Sequence, residues 1–393
     1  MVSDRELFFK CLGLPSSKPI GLEIERASGI YMYDTKGKEY IDLISGVSVS
    51  NIGHCHPKVI EAIQHQLSKY MHVMVYGEYV QKPQIELARL LTSRLPENLN
   101  SVYFVNSGSE AIEGAIKLAK RFTKRTEIIA FKNAYHGGTH GSLSVLGNET
   151  LKNAFRPLLP DVRFIEFNSF EDINQISEKT ACLIVESIQA EAGVILPAEG
   201  FLASLCHKCK EKGALVVLDD IQMGFGRTGK LFSFETFGFV PDVLTLAKGM
   251  GGGMPIGAFI SSKEIMNTLS FEPELGHITT FGGHPVSCAA ALASLKVIID
   301  EDLLEQVNMK GNVIYTSLKN LKGIKDIRQV GLVLGIDLED LKKTTHVISE
   351  LLFNGIVVDR FLFRPNTFRI APPLIISMQE IDKVISIIKK CIK

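Results

Sequence analysis

The 393-residue sequence has no excess of either charge, because 43 lysines and arginines balance 43 aspartates and glutamates. There is also no long block of like charge, so nothing favours binding to nucleic acid. No apolar run approaches the roughly 20 residues that a membrane-spanning helix needs. Residues 1–6 lack the apolar core of a signal peptide. We therefore expect a cytoplasmic protein whose partners are small molecules or a second copy of itself.

Cysteine is scarce, with seven residues in the chain, an odd number. Cys206 and Cys209 form a C-x-x-C pair, but no second pair follows at the distance that a zinc site needs. Leu202, Leu205 and Cys209 fall at helical spacing. We predict that both cysteines are reduced thiols on a helix, and we expect no metal site.

The sequence does have an ordinary globular composition, 46% hydrophobic and 22% charged. Between about residues 85 and 262, short apolar strands alternate with helices. This alternation is typical of an α/β fold, in which helices cover both faces of a mostly parallel sheet. The predicted strands are Val102–Val105, Ile128–Phe131, Val162–Ile165, Leu183–Val185, Ala214–Leu218, Val243–Ala247 and Ile256–Ile260.

A smaller unit is predicted from the two ends of the chain. Its predicted elements are a hairpin within residues 29–43, strands 331–338 and 356–359, and a final helix from Met378. We therefore predict a large domain over residues 50–295 and a smaller α+β domain made of residues 1–49 and 296–393.

Two ionisable residues follow predicted strands at the edge where α/β sheets bind ligands. Lys248 stands between the strand Val243–Ala247 and a glycine-rich run, and Asp219 follows the strand Ala214–Leu218. A lysine in a dry cleft can form a Schiff base with pyridoxal phosphate, while an aspartate keeps the pyridine nitrogen of that cofactor protonated. Taken alone, Lys248 is more simply explained as a lysine that extends to the surface, and Asp219 as a helix cap. The surrounding motifs favour the cofactor.

The turn Asn106-Ser107-Gly108-Ser109 lies between the strand Val102–Val105 and a predicted helix over residues 110–124. Backbone N–H groups at such a helix N-terminus bind phosphate. An ordinary helix cap by Ser107 or Ser109 is the alternative. After the next strand, Tyr135 and His136 are candidates for cofactor contacts, because an aromatic side chain there could stack on a flat heterocycle. On its own, an aromatic residue in such a loop is more typical of a core.

The segment Gly224–Gly229 matches the G-x-G-x-x-G pattern of dinucleotide-binding loops, and Asp242 lies near the expected distance downstream. However, Asp219 and Asp220 precede the glycines where a pyrophosphate needs positive potential, and residues 230–234 do not begin a long helix. We interpret the glycines as shaping a tight loop. A nicotinamide-dependent dehydrogenase is therefore the less favoured alternative from another class of enzyme.

Two long segments, Leu218–Gly229 and Pro241–Gly249, resemble the signature of class III pyridoxal-phosphate aminotransferases. Further matching motifs are Gly53–Pro57, Asn106–Ala111, Val185–Gln189, Thr279–Pro285 and Arg369–Leu374. The resemblance covers nearly the whole chain and is closest to the acetylornithine and ornithine aminotransferases. It implies the fold type I architecture of pyridoxal-phosphate transferases and a C2 homodimer with active sites at the interface.

The resemblance also implies a role for each matching residue. Lys248 is implied to be the Schiff-base lysine and proton shuttle, and Asp219 the partner of the pyridine nitrogen. The other implied cofactor contacts are Tyr135 and Ile221 on the ring, Gln222 at the ring hydroxyl, Gly108 and Ser109 at the phosphate, and Thr280 at the phosphate of the neighbouring subunit's cofactor.

Arg369 matches the arginine with which the family binds a substrate carboxylate, and Glu191 the glutamate that pairs with this arginine. In the family this pair stays closed while an amine remote from a carboxylate enters, and opens when glutamate enters carboxylate first. Without the resemblance, an arginine and a glutamate in a cleft are more typical of a structural ion pair.

Two positions depart from the branches that the chain resembles most. Gly138 stands where those enzymes carry an arginine for the distal carboxylate of the substrate, so recognition of that group requires another cation in its place. The candidates for replacement are His140, Arg156 and Arg163. Val47 stands where ornithine aminotransferases carry a tyrosine for the free α-amine, which argues against free ornithine.

We therefore expect an aminotransferase that moves an ω-amino group between a donor, such as acetylornithine or ornithine, and 2-oxoglutarate. A 4-aminobutyrate or diamine transaminase, a decarboxylating transaminase or a 2,1-aminomutase would use the same Lys248 and Asp219. The sequence leaves the amino donor and its distal group open.

Overall fold

The computed structural model of the chain describes residues 2–392, which contain fifteen strands and fourteen α-helices. The strands are β1 Ile24–Ser28, β2 Tyr31–Asp34, β3 Glu39–Asp42, β4 Ser101–Val105, β5 Glu127–Phe131, β6 Val162–Ile165, β7 Thr180–Glu186, β8 Leu215–Asp219, β9 Val243–Leu246, β10 Gly257–Ser261, β11 Asp326–Val330, β12 Val333–Asp337, β13 Ile356–Val357, β14 Arg360–Phe361 and β15 Arg364–Ile370. The helices are α1 Asp4–Cys11, α2 Ser45–Ser48, α3 Pro57–Leu67, α4 Lys82–Thr92, α5 Gly108–Thr123, α6 His140–Ser144, α7 Glu149–Lys152, α8 Phe201–Lys212, α9 Phe234–Phe237, α10 Lys263–Asn267, α11 Pro285–Asp300, α12 Leu303–Leu318, α13 Leu341–Phe353 and α14 Met378–Ile392.

Seven strands form the central sheet in the order β4-β10-β9-β8-β7-β5-β6. The neighbours from β9 to β6 run parallel, and β10 runs antiparallel to both β4 and β9. All seven strands predicted for the large sheet are present and belong to it. The predicted α/β fold with a mostly parallel sheet is therefore confirmed.

Helices cover both faces of this sheet because successive side chains of a strand point to opposite sides. On β5, Ile128 and Ala130 pack in a buried cluster with residues of α5, such as Ile112. Ile129 and Phe131 pack on the opposite face, in a cluster that includes residues of α8 and α11. The strand is buried throughout, as expected for the interior of a parallel sheet.

The two ends of the chain share a second core. The predicted hairpin is β2 and β3, and β3 pairs in parallel with β13 from the C-terminal part. A second four-stranded sheet has the order β11-β12-β15-β14, with antiparallel neighbours. Both sheets contribute to one buried apolar cluster. The domain boundaries at 50 and 295 stay a prediction, and α11 continues past the second of them.

The helix α8 carries Cys206 and Cys209 as predicted, and both thiols are free. Burial raises the pKa of the Cys206 thiol to about 12, so its reactive thiolate is disfavoured. Within residues 2–392, no helix combines the length and hydropathy that crossing a bilayer requires.

Candidate active site

The carboxyl ends of β7, β8 and β9 carry three ionisable side chains to one edge of the sheet. Glu186 ends β7, Asp219 ends β8, and the two residues are paired in the strand register. Lys248 follows β9 in a short turn. All three line a cavity of about 430 Å³, together with Val49, Asn106, Ser107, Gly108, Ser109, Tyr135, His136, Gly137, Ile221, Gln222, Met223, Ala247, Gly253, Met254, Pro255 and Ile256.

Lys248 has a left-handed backbone conformation, with a φ of 47°. A positive φ is uncommon for residues other than glycine and is concentrated at functional sites. The amine Nζ lies 3.4 Å from Oε1 of Gln222. Burial lowers the pKa of Lys248, although the charges of Glu191 and Asp219 act in the opposite direction. A larger fraction of the Lys248 amine is therefore neutral than for a lysine in water.

The carboxylate of Asp219 is held by two partners. Its Oδ2 lies 2.7 Å from Nδ1 of His136, and its Oδ1 accepts a hydrogen bond from the N–H of Ile221 at 3.1 Å. Burial alone would lower the pKa of His136, but its hydrogen bond to Asp219 and the charge of that carboxylate raise it above its usual value. The hydrogen bond fixes the imidazole of His136 and the carboxyl group of Asp219 relative to each other.

The N-terminus of α5, with Ser107, Gly108 and Ser109, borders the cavity. Ser107 caps the helix by accepting a hydrogen bond from the N–H of Glu110 at 3.2 Å. The same residue also lines the cavity, so capping the helix does not exclude a place in the site. A Cβ atom on Gly108 would lie 2.9 Å from Cδ1 of Ile221. Glycine thus allows the helix terminus to approach the cavity closely.

The structure brings Tyr135, Ile221 and Gln222 to the same cavity. The Nε2 atoms of Gln222 and His136 are buried and have no hydrogen-bond partner within residues 2–392. Buried polar atoms without a partner are uncommon. These two atoms are therefore available to a bound molecule.

Arg369 and Glu191 lie together but do not line this cavity within the described residues. The Nη2 atom of Arg369 donates to Oε1 of Glu191 at 2.7 Å, and the guanidinium lies 4.5 Å from the centre of the Phe361 ring. Asp359 is the second acidic neighbour, with Oδ1 3.4 Å from Nε. The Nη1 and Nε atoms of Arg369 have no hydrogen bond in the described chain.

Three other predicted site residues also lie outside the cavity lining. Gly138 is exposed, and a Cβ atom added there would meet nothing within 4 Å. Val47 has a φ of 61° in the irregular α2 turn, and Val49 lines the cavity instead. Thr280 is exposed, and its carbonyl oxygen lies 2.9 Å from Nε2 of His72. Their predicted roles stay predictions.

The candidate replacements for the missing arginine have other surroundings. Arg156 pairs with Glu149 at 2.7 Å, and Arg163 with Glu127 at 3.0 Å. Neither arginine lines the cavity among the described residues. His140 is exposed at the start of α6.

Glu186 lies within the motif Val185–Gln189, for which no site role is predicted from the sequence. Burial raises the pKa of this carboxyl to about 7, and its two oxygens accept the N–H groups of Tyr135 and Ala190. The available signal was its position, because Glu186 ends β7 as Asp219 ends β8. The apolar lining residues Met223 and Met254 had no such signal.

The profile of the aminotransferase class III family matches residues 14–392 of the chain. The chain belongs to the class III aminotransferases. It is 38% identical over 360 residues to the acetylornithine aminotransferase of Methanopyrus kandleri, with 91% of both chains covered. It is also 38% identical over 376 residues to that of Bacillus subtilis, with 94% of this chain and 95% of the relative covered.

Solved structures support the same assignment. A transaminase from the marine bacterium Virgibacillus has a TM-score of 0.93 at 30% identity, with 99% of this chain and 98% of the other covered. The ornithine aminotransferase of Toxoplasma gondii, crystallised with partial occupancy of pyridoxal phosphate at its active site, has a TM-score of 0.90 at 28% identity, with 100% and 95% covered. The aminotransferase is therefore a pyridoxal-phosphate-dependent transaminase of fold type I, with small-molecule substrates.

The dehydrogenase alternative is not supported. The helix after Gly224–Gly229 is α9, which has four residues. A dinucleotide-binding turn leads into a longer helix whose N-terminus binds the pyrophosphate, and α9 is too short for that.

Proposed function

We propose that the aminotransferase moves an ω-amino group from a small amine or amino acid to 2-oxoglutarate, with Lys248 as the residue that attaches the cofactor and transfers the proton. The observation that carries this proposal is the meeting of Lys248 and Asp219 in one cavity, beyond the ends of neighbouring strands. The names of the curated relatives support acetylornithine as a donor.

The cavity residues fit pyridoxal phosphate. The unpartnered Nε2 of Gln222 is suited to the ring hydroxyl, and the first N–H groups of α5, which have no partner within a helix, are suited to the phosphate. The side chains of Tyr135 and Ile221 offer apolar surface for the ring. When bound, this cofactor supplies an aldehyde that condenses with amines and a ring that withdraws electrons.

Lys248 is suited to both of its proposed tasks because it is an amine in a partly buried position. The lowered pKa increases the fraction of neutral Nζ, and neutral nitrogen is the nucleophile and the proton acceptor. We propose that Nζ takes the proton from the donor carbon that bears the nitrogen and later returns a proton. Gln222, whose Oε1 lies 3.4 Å away, orients the amine.

Asp219 is proposed to stabilise a positive charge on the ring nitrogen of the cofactor. Its carboxylate is fixed by His136 and by the N–H of Ile221, so it cannot easily turn away from the cavity. A preorganised carboxylate stabilises charge more than a mobile one. The pKa of Glu186 is raised by burial and by the charge of Asp219. Its carboxyl group is therefore suited to remain largely protonated beside that carboxylate.

Arg369 is proposed to bind a carboxylate of 2-oxoglutarate. A guanidinium binds a carboxylate with two parallel hydrogen bonds. Within residues 2–392, Nη1 and Nε of Arg369 have no hydrogen-bond partner, although Oδ1 of Asp359 lies 3.4 Å from Nε. Glu191 occupies Nη2 at 2.7 Å, so it must move or share the guanidinium when the carboxylate binds. When the bound donor has no carboxylate at this position, Arg369 and Glu191 can stay hydrogen-bonded to each other, and their opposite charges compensate.

The donor is proposed to include amines without a distal carboxylate. Gly138 offers open space and no charge where an arginine is expected by resemblance. Of the three candidate replacements, Arg156 and Arg163 already pair with carboxylates, and His140 is exposed at the start of α6. This observation favours a diamine or monoamine donor as a second candidate beside acetylornithine.

A homodimer with shared active sites is proposed from the exposed apolar surface. Met71, Tyr79 and Val80 are exposed, as are Phe271 and Phe281 on a second segment. The segments contact each other, since the rings of His72 and Phe281 lie 5.0 Å apart. Extended exposed apolar patches mark protein interfaces, and Thr280 lies within this one.

A panel of amines assayed with 2-oxoglutarate tests the proposed function. We expect glutamate to form from acetylornithine, a diamine or both, and we expect the Lys248→Ala variant to form none while it retains the fold by circular dichroism. Transamination by Lys248→Ala would show that another residue transfers the proton. Isomerised donor without glutamate would indicate an aminomutase instead.

A further inference from the structure

The glycine loop Gly224–Gly229 packs against residues of the second core and of α12. Gly226 has a φ of 97°, and a Cβ atom on it would lie 2.5 Å from Cδ1 of Leu374. Gly229 has a φ of 87°, and a Cβ atom there would lie 2.7 Å from Nδ2 of Asn308 on α12. Glycine is needed at both positions for conformation and for close approach.

This loop carries Arg227, a fully buried arginine. Its Nη1 donates to the carbonyl oxygens of Leu332 at 3.0 Å and Pro372 at 2.6 Å, and its Nη2 donates to Oδ1 of Asn51 at 2.6 Å. The carbonyl oxygen of Arg227 in turn accepts the N–H of Leu332 at 3.0 Å. One residue thus joins three segments that are far apart in the sequence.

The carbonyl groups that Arg227 binds lie just beyond the ends of two strands, β12 and β15, and β15 carries Arg369. Strands β12 and β15 are antiparallel, with Gly335 opposite Arg369. Leu332 precedes β12 and Pro372 follows β15, so the guanidinium of Arg227 bridges the adjoining ends of these two strands. Pro372, whose carbonyl oxygen accepts from Arg227, lies two residues after Ile370, the last residue of β15.

The segment Ala371–Leu374 has a second buried cation. The Nζ atom of Lys310 on α12 donates to the carbonyl oxygen of Leu374 at 2.8 Å, and Lys310 is buried. The N–H groups of Ala371 and Leu374 donate to the carbonyl oxygens of Leu43 and Asn51, both at 2.7 Å. The segment after Arg369 is therefore fixed on several sides.

We propose that Arg227, with Lys310, is a positioning residue that sets the place of Arg369 and thereby the affinity of the aminotransferase for carboxylate substrates. The proposal rests on the carboxylate role of Arg369 given above. Arg227 acts through the backbone of Leu332 and Pro372, since it touches neither the cavity lining nor Arg369 by a hydrogen bond. A planar guanidinium can serve three acceptors in fixed directions, whereas the amine of a lysine is a point charge on a flexible stem.

The test measures binding of glutarate, an unreactive dicarboxylate, to the holoenzyme by calorimetry. We expect Arg227→Lys to weaken glutarate binding on the order of tenfold, Lys310→Met to weaken it less, and Arg369→Ala to weaken it most. The Michaelis constant for 2-oxoglutarate should rise in the same order. The Michaelis constant for the best amine donor and the visible absorption of the bound cofactor should change little.

Arg125→Lys is the matched control, because Nη1 of Arg125 also donates to three carbonyl oxygens, those of Thr180, Lys212 and Gly213, at the amino ends of the parallel strands and not at the cavity edge. We expect a lower melting temperature from this variant with unchanged glutarate binding. The same pattern in Arg227→Lys would show a structural role alone and overturn the inference. If Arg227→Lys is insoluble, Lys310→Met decides, and wild-type glutarate binding by it overturns the inference. Unchanged binding by Arg369→Ala would refute the proposed carboxylate site instead.

Discussion

Two adjacent carboxylates, Asp219 and Asp220, show how the fold gives equal residue types different properties. Asp219 faces the cavity and has His136 as a partner. Asp220 is fully buried, accepts the N–H of Ser233 at 3.0 Å through Oδ2, and has no partner for Oδ1 within the described chain. The dipeptide alone does not distinguish them. In the structure Asp219 is the last residue of β8 and lines the cavity, and the resemblance to the family is what favoured it over Asp220.

Asp220→Asn should stabilise the enzyme at high pH. Burial raises the pKa of Asp220 to about 7 from its usual value near 3.8, so the folded state holds this proton more tightly than the unfolded state. The stability that the protonated form contributes is fully present below about pH 4 and is lost progressively as the pH rises to about 7. The neutral amide should therefore raise the free energy of unfolding at pH 8 by about 1 to 3 kcal/mol relative to wild type, and by less at pH 5.

The measurement is denaturant unfolding of both proteins at the two pH values, with saturating pyridoxal phosphate. Ser233→Ala serves as a comparison, because the N–H that binds Asp220 is retained. An equal difference between Asp220→Asn and wild type at pH 5 and pH 8 would show that Asp220 does not titrate in this range.

Gly138→Arg should improve acetylornithine as a donor. The exposed glycine leaves room for the side chain, since nothing lies within 4 Å of its Cβ position. A new charge-assisted hydrogen bond to the distal carboxylate contributes roughly 1.5 to 3 kcal/mol at best, which should appear in kcat/KM for acetylornithine and not for a diamine. Gly138→Gln is the control of similar length without charge. Efficient use of acetylornithine by the wild-type enzyme, with no gain from the arginine, would show that another group binds this carboxylate.

At the scale of secondary structure, apolar runs predicted the strands of the large sheet well because both faces of that sheet are buried. The strands that the sequence did not predict are β1, β11, β14 and β15. Most of β1 is exposed, and β15 begins with Arg364, Pro365 and Asn366. Their positions are set by pairing with neighbours and not by their own hydrophobic pattern. Arg369 was therefore recognised by resemblance, while the strand that carries it was not.

Gly257→Ala should weaken pyridoxal phosphate binding through the start of α5. A Cβ atom on Gly257, the first residue of β10, would lie 2.3 Å from the carbonyl oxygen of Ser107, and this backbone atom cannot rotate away. Moving it displaces the cap of the helix whose N–H groups are proposed to bind phosphate. Overpacking of this kind costs typically about 1 to 3 kcal/mol, and where the strain is relieved at the phosphate site the dissociation constant should rise about 5- to 150-fold.

Titration of the apoenzyme with pyridoxal phosphate, followed by its visible absorption, measures this constant. Gly13→Ala is the control, because Gly13 is exposed and a Cβ atom there meets nothing within 4 Å. A lower melting temperature of Gly257→Ala with wild-type cofactor affinity would argue that the phosphate binds elsewhere.

At the scale of the whole molecule, the proposed site joins distant parts of the chain. Asn51 near the N-terminus, the loop with Arg227 and the segment after Arg369 meet through hydrogen bonds. Sequence motifs named the residues on these segments, but their contacts depend on long-range packing that no local pattern encodes. Thr280 lies outside the cavity lined by the cofactor candidates among residues 2–392, so its predicted role depends on a second chain.

Mixing two defective variants should restore activity if Thr280 serves the partner's site. Thr280→Asp places a negative charge where the partner's cofactor phosphate is proposed to bind, and Lys248→Ala removes the attaching amine, so each homodimer should be nearly inactive. In a mixed dimer one site has both Lys248 and the partner's intact Thr280. Random assortment on coexpression should then give about one quarter of wild-type activity. If Thr280 acted within its own chain, no site in the mixed dimer would be intact, and activity would stay at the level of the two parents.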